Sequence, residues 1–345
     1  MKKAFLILFC ILAIFTACKQ APIFYDISQE IELNDPTIKG KVISMKRLGT
    51  DESFTIYAAN QDLNVKAASE QRWEKVSGVP GSKVVSLACS KDYLYIGTNP
   101  AANETITVYC HKVTENGTLD SESSWKKVAS GVSRLFDNQS FGNNAKAYFV
   151  KNVETGDGEN KTTTPTVFAL SGESEPTEQS NAKSVFGNPI ITAVHLGGTD
   201  GTDYFVGVPA VAIDDYVYVA DGKTIKYADE TLLTSILADT QGAEFEATSE
   251  TDSTITSLSV NGLNLYAGTT EGFEVASLDN TYAGKLKSFE NPGNNAESAF
   301  GTREVLGIWN FDNKNNFFVS VTSFLSSSYD ALWGFNTSNS KWNIE

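Results

Sequence analysis

The stretch from Ile255 to Leu278 reads ITSLSVNGLNLYAGTTEGFEVASL. It contains three short runs rich in β-branched, leucine and aromatic residues, and these runs are separated by Asn-Gly and Glu-Gly pairs. Runs of this kind, bounded by turn-forming residues, are typical of antiparallel strands joined by tight hairpins. The stretch therefore predicts a meander of three strands.

The same order of segments recurs elsewhere in the chain. Residues 84–98 read VVSLACSKDYLYIGT, and residues 210–227 read AVAIDDYVYVADGKTIKY. The tail repeats the order once more, with Val305–Trp309, Phe317–Val321, Leu332–Phe335 and a final run at Trp342–Ile344. A fourth, outer strand is indicated by a tryptophan followed two or three residues later by an apolar residue, at Trp73, Trp125 and Trp342.

Units of four short antiparallel strands, repeated about every 40 to 60 residues, indicate an all-β chain that folds as a β-propeller. Units begin near Val42, Val84, Val132, Ala210, Ile255 and Val305. They predict six four-stranded blades if residues 189–209 are an inserted hairpin, and seven if that segment starts its own blade. An irregular pair of β-sandwiches is the alternative, because sandwiches show a similar rhythm of strands and turns.

Three local features refine this prediction. The small-residue segments that contain Gly97 and Gly268 each end a second strand, where only small residues permit close approach near the central channel. Glu230–Ala238 is the one segment that could form a helical turn or two. The polar stretches 156–164 and 172–183 are predicted as long loops on the rim, where binding functions often reside.

The N-terminus carries an export signal. A short basic region is followed by an uninterrupted apolar stretch from Ala4 to Phe15, too short to span a bilayer. Phe15-Thr16-Ala17-Cys18 resembles a bacterial lipobox, with Phe in place of the usual Leu. This predicts a lipoprotein signal peptide over residues 1–17, cleavage between Ala17 and Cys18, and acylation of Cys18. A conventional signal peptide with Cys18 as a spare thiol is the alternative.

The predicted mature chain has two parts. Residues 18–40 form a lipidated tether that includes a β-like segment, Ile23–Ile27, as a possible edge strand. Residues 41–345 form a single propeller domain. Several acyl chains on Cys18 would suffice for stable membrane attachment.

A family resemblance joins these observations. The pattern from Leu265 to Phe273 (LYAGTTEGF) resembles the blade motif of sensor-type propellers. Together with the lipobox, the chain resembles the β-propeller lipoproteins of spirochaetes of the treponemal type. The resemblance covers roughly residues 41–345 and implies an exported bacterial protein, but it carries no catalytic residue to this sequence.

Composition excludes some partners. The 345 residues carry 27 Lys and Arg against 42 Asp and Glu, a formal charge of −15. Nucleic-acid binding requires a basic surface that neutralises phosphates, so no nucleic-acid partner is expected. We likewise expect the membrane to be reached through the lipid rather than through basic residues.

Two of the three cysteines of the mature chain lie in predicted strands. Cys89 ends one strand and Cys110 ends another, with the strand 93–96 between them in sequence. In a meander the two would lie two strand spacings apart, about 9.5 Å, which exceeds the separation a disulfide tolerates. We predict that both are free, buried thiols.

Candidate sites for chemistry are few. His111 and His195 are the only histidines and follow strand-like segments, so each is expected to be a hydrogen-bonded structural residue rather than a metal ligand. The acidic, glycine-rich runs 154–160 and 197–203 have oxygen ligands suited to calcium, although solvated turns explain them equally simply. No serine-hydrolase elbow or phosphate-binding glycine loop is present, so no cofactor and no catalytic residue is predicted.

Three functions fit these features. The first is a non-enzymatic, lipid-anchored module of the bacterial envelope, on the inner or outer membrane, that binds protein partners or serves as a scaffold. The second is an assembly factor associated with the insertion of outer-membrane proteins. The third is an enzyme that acts on a glycan or another small substrate in the central channel, with carboxylates converging from separate blades.

Overall fold

A computed structural model describes residues 38, 40–70, 72–99, 105–140, 142–156, 161–180, 182, 184–185, 190, 192–196, 203–279, 281–292, 301–312, 316–322 and 330–345. The chain divides into two compact units, Met1–Thr37 and Ile38–Glu345. The predicted signal peptide, its cleavage position Ala17 and the lipid attachment residue Cys18 lie outside the described residues. All that follows concerns the second unit.

Strands dominate the described residues, and neighbouring strands within each sheet pair antiparallel. The first sheet contains β1 (Ser44–Gly49), β2 (Phe54–Ala59), β3 (Leu63–Ala67) and β4 (Glu74–Lys75). The second contains β5 (Val84–Ser90), β6 (Tyr93–Thr98), β7 (Ile106–Lys112), β8 (Lys126–Asp137), β9 (Ala147–Thr155), β10 (Thr162–Leu170) and β11 (Thr177–Glu178). The third is the hairpin β12 (Thr192–His195) and β13 (Asp203–Val206).

Three further sheets complete the unit. The fourth contains β14 (Ala210–Ile213), β15 (Tyr216–Asp221), β16 (Thr224–Asp229) and β17 (Glu246–Glu250). The fifth contains β18 (Ile255–Asn261), β19 (Asn264–Thr269) and β20 (Gly272–Ser277). The sixth contains β21 (Val305–Asn310), β22 (Phe317–Val321), β23 (Ala331–Asn336) and β24 (Lys341–Ile344).

The seven-stranded sheet contains two units that share one strand. In β8, residues up to Val132 pair with β7, and residues from Val132 onward pair with β9. The sequence predicted an outer strand at 125–128 and a separate inner strand from Val132. The structure joins them into one strand, with Gly131 at a φ of 72° immediately before the change of partner.

We therefore divide the unit into seven sectors. Sector 1 is the first sheet. The seven-stranded sheet gives sector 2, from β5 to the first half of β8, and sector 3, from the second half of β8 to β11. Sectors 4, 5, 6 and 7 are the third, fourth, fifth and sixth sheets. The innermost strands of successive sectors contact one another: β1 with β5, β5 with β8, β8 with β12, β12 with β14, β14 with β18, and β18 with β21.

The first sector also packs against the last. Met45 and Ile56 of sector 1 lie in one apolar cluster with Phe318 and Leu332 of sector 7. The Trp73 indole Nε1 donates a hydrogen bond to the Glu345 carboxylate at 2.8 Å. Inter-sheet contacts thus run round a ring, which is the arrangement of a β-propeller and not of paired sandwiches.

The strand count corrects the prediction of uniform blades. Among the described residues the six sheets contain four, seven, two, four, three and four strands, so four strands are not described for every blade. The predicted unit starts Val84, Ala210, Ile255 and Val305 are each the first residue of an inner strand.

Helix α1 (Glu230–Leu237) packs against the short hairpin of sector 4. Its first turn is capped by Asp229, whose side chain accepts a hydrogen bond from the Leu232 amide at 2.8 Å. Leu233 is fully buried, in one cluster with Val194 and Val206 of sector 4. The helix therefore covers apolar surface of the hairpin, and the predicted helical segment is confirmed.

The predicted rim loops are shorter than expected. Strand β10 begins at Thr162 and so includes the end of the predicted loop 156–164. The predicted loop 172–183 contains β11, whose residues pair with Phe168 and Ala169. The run of β-branched residues in 162–168 (TTTPTVF) is a strand signal that the polar composition concealed.

Candidate functional site

A central cavity of about 980 Å³ lies where the inner strands converge. Every sector contributes a residue from its inner strand: Lys46, Cys89, Asp137, Val194, Ala212, Ser259 and Ile308. These residues lie in the later parts of their strands, so the cavity is at the end of the ring where each inner strand turns into the second strand. A shared cavity of this size is the default location for a binding site in such a fold.

A buried ion pair crosses this cavity. The Lys46 ammonium lies 2.7 Å from Asp137 Oδ1, and the Asp137 side chain is 1% exposed. Burial lowers the pKa of Lys46, but the Asp137 carboxylate more than offsets it, so that the pKa lies above its ordinary value. Lys46 therefore remains a cation at neutral pH and serves as a counter-charge for Asp137.

Cys89 is the third member of this cluster. Its backbone amide donates to Asp137 Oδ2 at 3.1 Å, and its thiol lies 3.5 Å from the same oxygen. Burial, followed by the Asp137 charge, raises the pKa of the thiol well above its ordinary value. The thiol thus stays protonated and donates to the carboxylate, which is the opposite of an activated nucleophile.

The predicted state of the cysteines is confirmed, since Cys89 and Cys110 are both free and buried. The meander β5-β6-β7 places Cys89 opposite Leu94, and Cys110 opposite Tyr95. Because Leu94 and Tyr95 are adjacent in one strand, the two cysteines project from opposite faces of the sheet. This is a second reason, besides distance, that they do not form a disulfide.

The tripeptide Asp137-Asn138-Gln139 links several sectors, and we call it the hub. Asp137 contacts Lys46 in sector 1 and Cys89 in sector 2. Asn138 Nδ2 donates to Asp203 Oδ1 at 3.2 Å, and Gln139 Nε2 donates to the carbonyl of Ala210 at 2.7 Å. The hub therefore connects sector 3 with sectors 1, 2, 4 and 5.

His195 lies at the edge of the cavity and is held by Asp203. Its Nδ1 is 2.8 Å from Asp203 Oδ1, and both side chains are at most 10% exposed. The Tyr148 hydroxyl donates to the other carboxylate oxygen, and Lys146 Nζ lies 3.4 Å from it. Burial, and then the Asp203 hydrogen bond, raise the pKa of Tyr148. His195 is thus a hydrogen-bonded strand residue, as predicted.

His111 is also structural, as predicted. It is 7% exposed, its Nδ1 lies 2.8 Å from the Lys112 carbonyl oxygen, and its ring packs edge-on against Trp125 at 5.0 Å. The two histidines belong to different sectors and are not brought into one site.

The acidic runs are described only in part, since residues 157–160 and 197–202 lie outside the described set. Glu154 pairs with Lys161 at 2.9 Å, and Asp203 is held by the contacts given above. Within the described residues, no three His, Cys, Asp or Glu side chains lie close enough together to hold a metal ion.

The cavity carboxylates were not singled out in the sequence. Asp137 is buried and paired with Lys46, whereas Asp51 is 79% exposed and paired with Arg47 at 2.9 Å. One signal was available: Asp137-Asn138 stands at the end of an apolar inner strand, and such a position faces the shared cavity.

In the described ranges, no helix has the length and apolar character needed to cross a bilayer.

Comparisons with known proteins give weak likenesses. No family model matches the chain, and no curated protein matches it. Among solved structures, the WD40 repeats of RRP9 are 12% identical at a TM-score of 0.36, over 89% of this chain and 80% of that chain. Sqt1 of Saccharomyces cerevisiae is 12% identical at a TM-score of 0.37, and the match covers 90% of this chain and 85% of that chain. A glucose dehydrogenase is 8% identical at a TM-score of 0.44, and the match covers 83% of this chain and 95% of that chain. These scores are too low to assign a function, and the ring described above rests on the inter-sheet contacts.

Proposed function

We propose that this chain is a lipid-anchored β-propeller of the bacterial envelope that binds protein partners or serves as a scaffold, without catalysis. The sequence Phe15–Cys18 supports the anchor, with acylation at Cys18 and loss of residues 1–17. The resemblance to spirochaetal propeller lipoproteins is part of the same proposal.

The observation that carries the non-enzymatic assignment is the use of the charged groups in the cavity. Lys46, Asp137 and the Cys89 thiol are committed to one another, and Arg47 to Asp51. A general acid or base must be free to exchange a proton with a substrate, and an activated thiol needs a depressed pKa. These groups instead join strands of different sectors, as expected of a scaffold.

The finer fold proposal is a seven-bladed propeller. Seven inner strands line one cavity, and the hairpin β12–β13 occupies the position of a blade because β12 contacts both β8 and β14. Sector 4 is then a reduced blade, supplemented by α1, rather than an insertion between two blades.

Membrane attachment is tested by metabolic labelling with a radioactive or alkyne-bearing fatty acid. We expect label on the wild-type chain and none on Cys18→Ser, with Cys10→Ser as the matched control that keeps its label. Equal labelling of wild type and Cys18→Ser would contradict the anchor.

Partner binding is tested by cross-linking in intact cells, followed by affinity purification of the tagged full-length chain. Reproducible retention of a specific envelope or host protein supports the binding role, and its repeated absence would overturn it. Recovery of the outer-membrane protein insertion machinery would favour the assembly role. Surface proteolysis of intact cells, with a periplasmic control protein, distinguishes a periplasmic from an exposed location.

A further inference from the structure

A second, smaller pocket lies between sectors 6 and 7. It has a volume of about 300 Å³ and shares the wall residue Asn310 with the central cavity. Asn264, Ser277 and Phe335, at strand ends, also line it, which places it at the same end of the ring as the central cavity. We call it the side pocket.

The side pocket has little charge. Of the ten residues that line it, Asp312 alone is charged at neutral pH. Both carboxylate oxygens of Asp312 accept hydrogen bonds from Asn316, at 3.1 Å from the backbone amide and 2.7 Å from the side-chain amide. The carboxylate keeps its negative charge, which disfavours an anionic ligand, while both of its oxygens already accept hydrogen bonds from Asn316.

The polar groups of the side pocket are neutral donors and acceptors. Asn264, Ser277, Asn310 and Thr337 contribute amide and hydroxyl side chains. The Ser277 hydroxyl donates to Asn264 Oδ1 at 2.6 Å, which fixes the orientation of that amide. An amide presents a donor and an acceptor side by side, which matches a pair of adjacent hydroxyl groups on a ligand.

Tyr266 joins these amides to the aromatic wall. Burial raises the pKa of Tyr266, and side-chain hydrogen bonds from Asn310 and Asn264 partly oppose the shift. The Tyr266 ring lies 5.0 Å from Phe317, at an interplanar angle of 60°. The amides are therefore held in place beside apolar ring surface before any ligand arrives.

The shape of the aromatic wall distinguishes between ring-shaped ligands. The rings of Tyr266 and Phe317, which both line the pocket, are inclined at 60°, and Phe317 and Phe335 are held by Trp342, which is not a lining residue. Rings inclined in this way form a corner, whereas a flat aromatic ligand is best held between parallel ring faces. A puckered ring with one apolar face and hydroxyl groups round its edge fits a corner of aromatic and amide groups.

From these features we infer that the side pocket binds one residue of a neutral saccharide. The volume lies at the lower end of small-molecule sites and suits a single sugar ring, with the rest of an oligosaccharide extending towards the rim. This inference is independent of the lipid anchor and of any protein partner.

The test uses the full-length chain in a detergent without a sugar headgroup. Cellotriose, maltotriose and chitotriose are the neutral probes, trigalacturonate is the charged probe, and uridine is the flat aromatic probe. Saturation-transfer NMR detects binding, and calorimetry measures it. We expect at least one neutral trisaccharide to bind with a Kd of about 0.1–1 mM, and neither other probe to bind.

Three variants localise the binding. Asn264→Leu and Thr337→Val alter the side pocket, whereas Asn144→Leu, in sector 3 across the ring, alters the central cavity alone. We expect the first two to raise the Kd about tenfold and Asn144→Leu to leave it within about twofold. Thr337 is exposed, so its variant remains informative if Asn264→Leu fails to fold.

The contrary outcomes are distinct. Absence of binding by all three neutral probes overturns the inference, as does preference for trigalacturonate or uridine. A larger loss in Asn144→Leu than in Thr337→Val would place the sugar in the central cavity and would also overturn it.

Discussion

The two sides of the ring are held together by different chemistry. Around sectors 1 to 5, the hub connects inner strands through an ion pair and side-chain hydrogen bonds. Between sectors 6 and 7, Phe273 packs with Phe317 and Val319, and the hydrogen bonds involve neutral groups: the Thr256 hydroxyl bonds to the Val305 carbonyl, Asn261 Nδ2 donates to Asn310 Oδ1 at 2.8 Å, and the Asn310 amide donates to the Ser259 hydroxyl at 3.0 Å.

Sector 4 depends on such polar contacts. Its two described strands, β12 and β13, offer its neighbours less apolar area than the four strands of sector 7. Because burial stabilises in proportion to area, a small sheet gains from additional interactions. Asn138 and Gln139 supply them by bonding to Asp203 and Thr192 of the hairpin.

The largest effect is expected at the hub. Asp137→Ala leaves the buried Cys89 amide and the Lys46 ammonium, whose side chain is 21% exposed, without their partner, so the free energy of unfolding should fall by about 3 kcal/mol, the lower end of the range for a fully buried pair. Urea unfolding followed by tryptophan fluorescence measures this change. Asp51→Ala is the matched control, because Asp51 is 79% exposed and its removal should cost about 0.5 kcal/mol or less. Equal losses of stability in the two variants would show that the Asp137 carboxylate does not hold the sectors together.

A smaller effect is expected at the apolar interface. A Cβ atom on Gly268 would lie 2.6 Å from Val305 Cγ1 and closer still to Ser257 Oγ. Gly268→Ala should therefore lower the free energy of unfolding by about 1–3 kcal/mol, through overpacking.

The Ser257 hydroxyl sharpens this test. It is buried and lacks a hydrogen-bond partner in the described structure, so Ser257→Ala alone should be nearly neutral. In the double variant, removal of the hydroxyl should restore part of the stability lost in Gly268→Ala. If the double variant loses as much free energy of unfolding as the two single variants together, Val305 alone causes the clash.

The smallest effect concerns alkaline pH. Burial raises the pKa of the Cys110 thiol to about 11, above about 8.5 for an exposed thiol. Between these values the unfolded chain has lost a proton that the folded chain retains, so the stability present below pH about 8.5 is lost as pH rises towards about 11. Cys110→Ala should make the urea midpoint less sensitive to pH in this window, and an unchanged slope would contradict the assignment.

Part of this architecture could be predicted from the sequence. Strand periodicity and turn residues placed Val84, Ala210, Ile255 and Val305 at the starts of inner strands, because those signals are local. The need for a small residue is confirmed at both glycines: a Cβ atom on Gly268 would clash with Val305 of the next sector, and one on Gly97 with Ser86 and Ile106 of its own sheet. In three inner strands, β5, β18 and β21, the register shifts just after the first residue, so the sequence repeat is also a repeat of backbone geometry.

Other features depend on contacts between distant residues. Lys46 and Asp137 are 91 residues apart, and only closure of the ring brings them together. The continuity of β8 was missed because Gly131 suggests a turn between two strands, whereas the structure accommodates it within one. The side pocket was missed for a similar reason, since its walls come from sheets separated by a long connection.

The shared strand β8 determines where the chain can be cut and rejoined. In most repeat proteins the connections between repeats are natural sites for new termini in circular permutants. Between sectors 2 and 3 there is no such connection, because Val132 pairs on one side with Ile106 and on the other with Lys151. New termini there would open two hydrogen-bonded ladders at once, whereas termini in the short turn between β17 and β18 would open none. Sectors 2 and 3 are therefore one unit for any rearrangement of the chain, although the sequence presents them as two repeats.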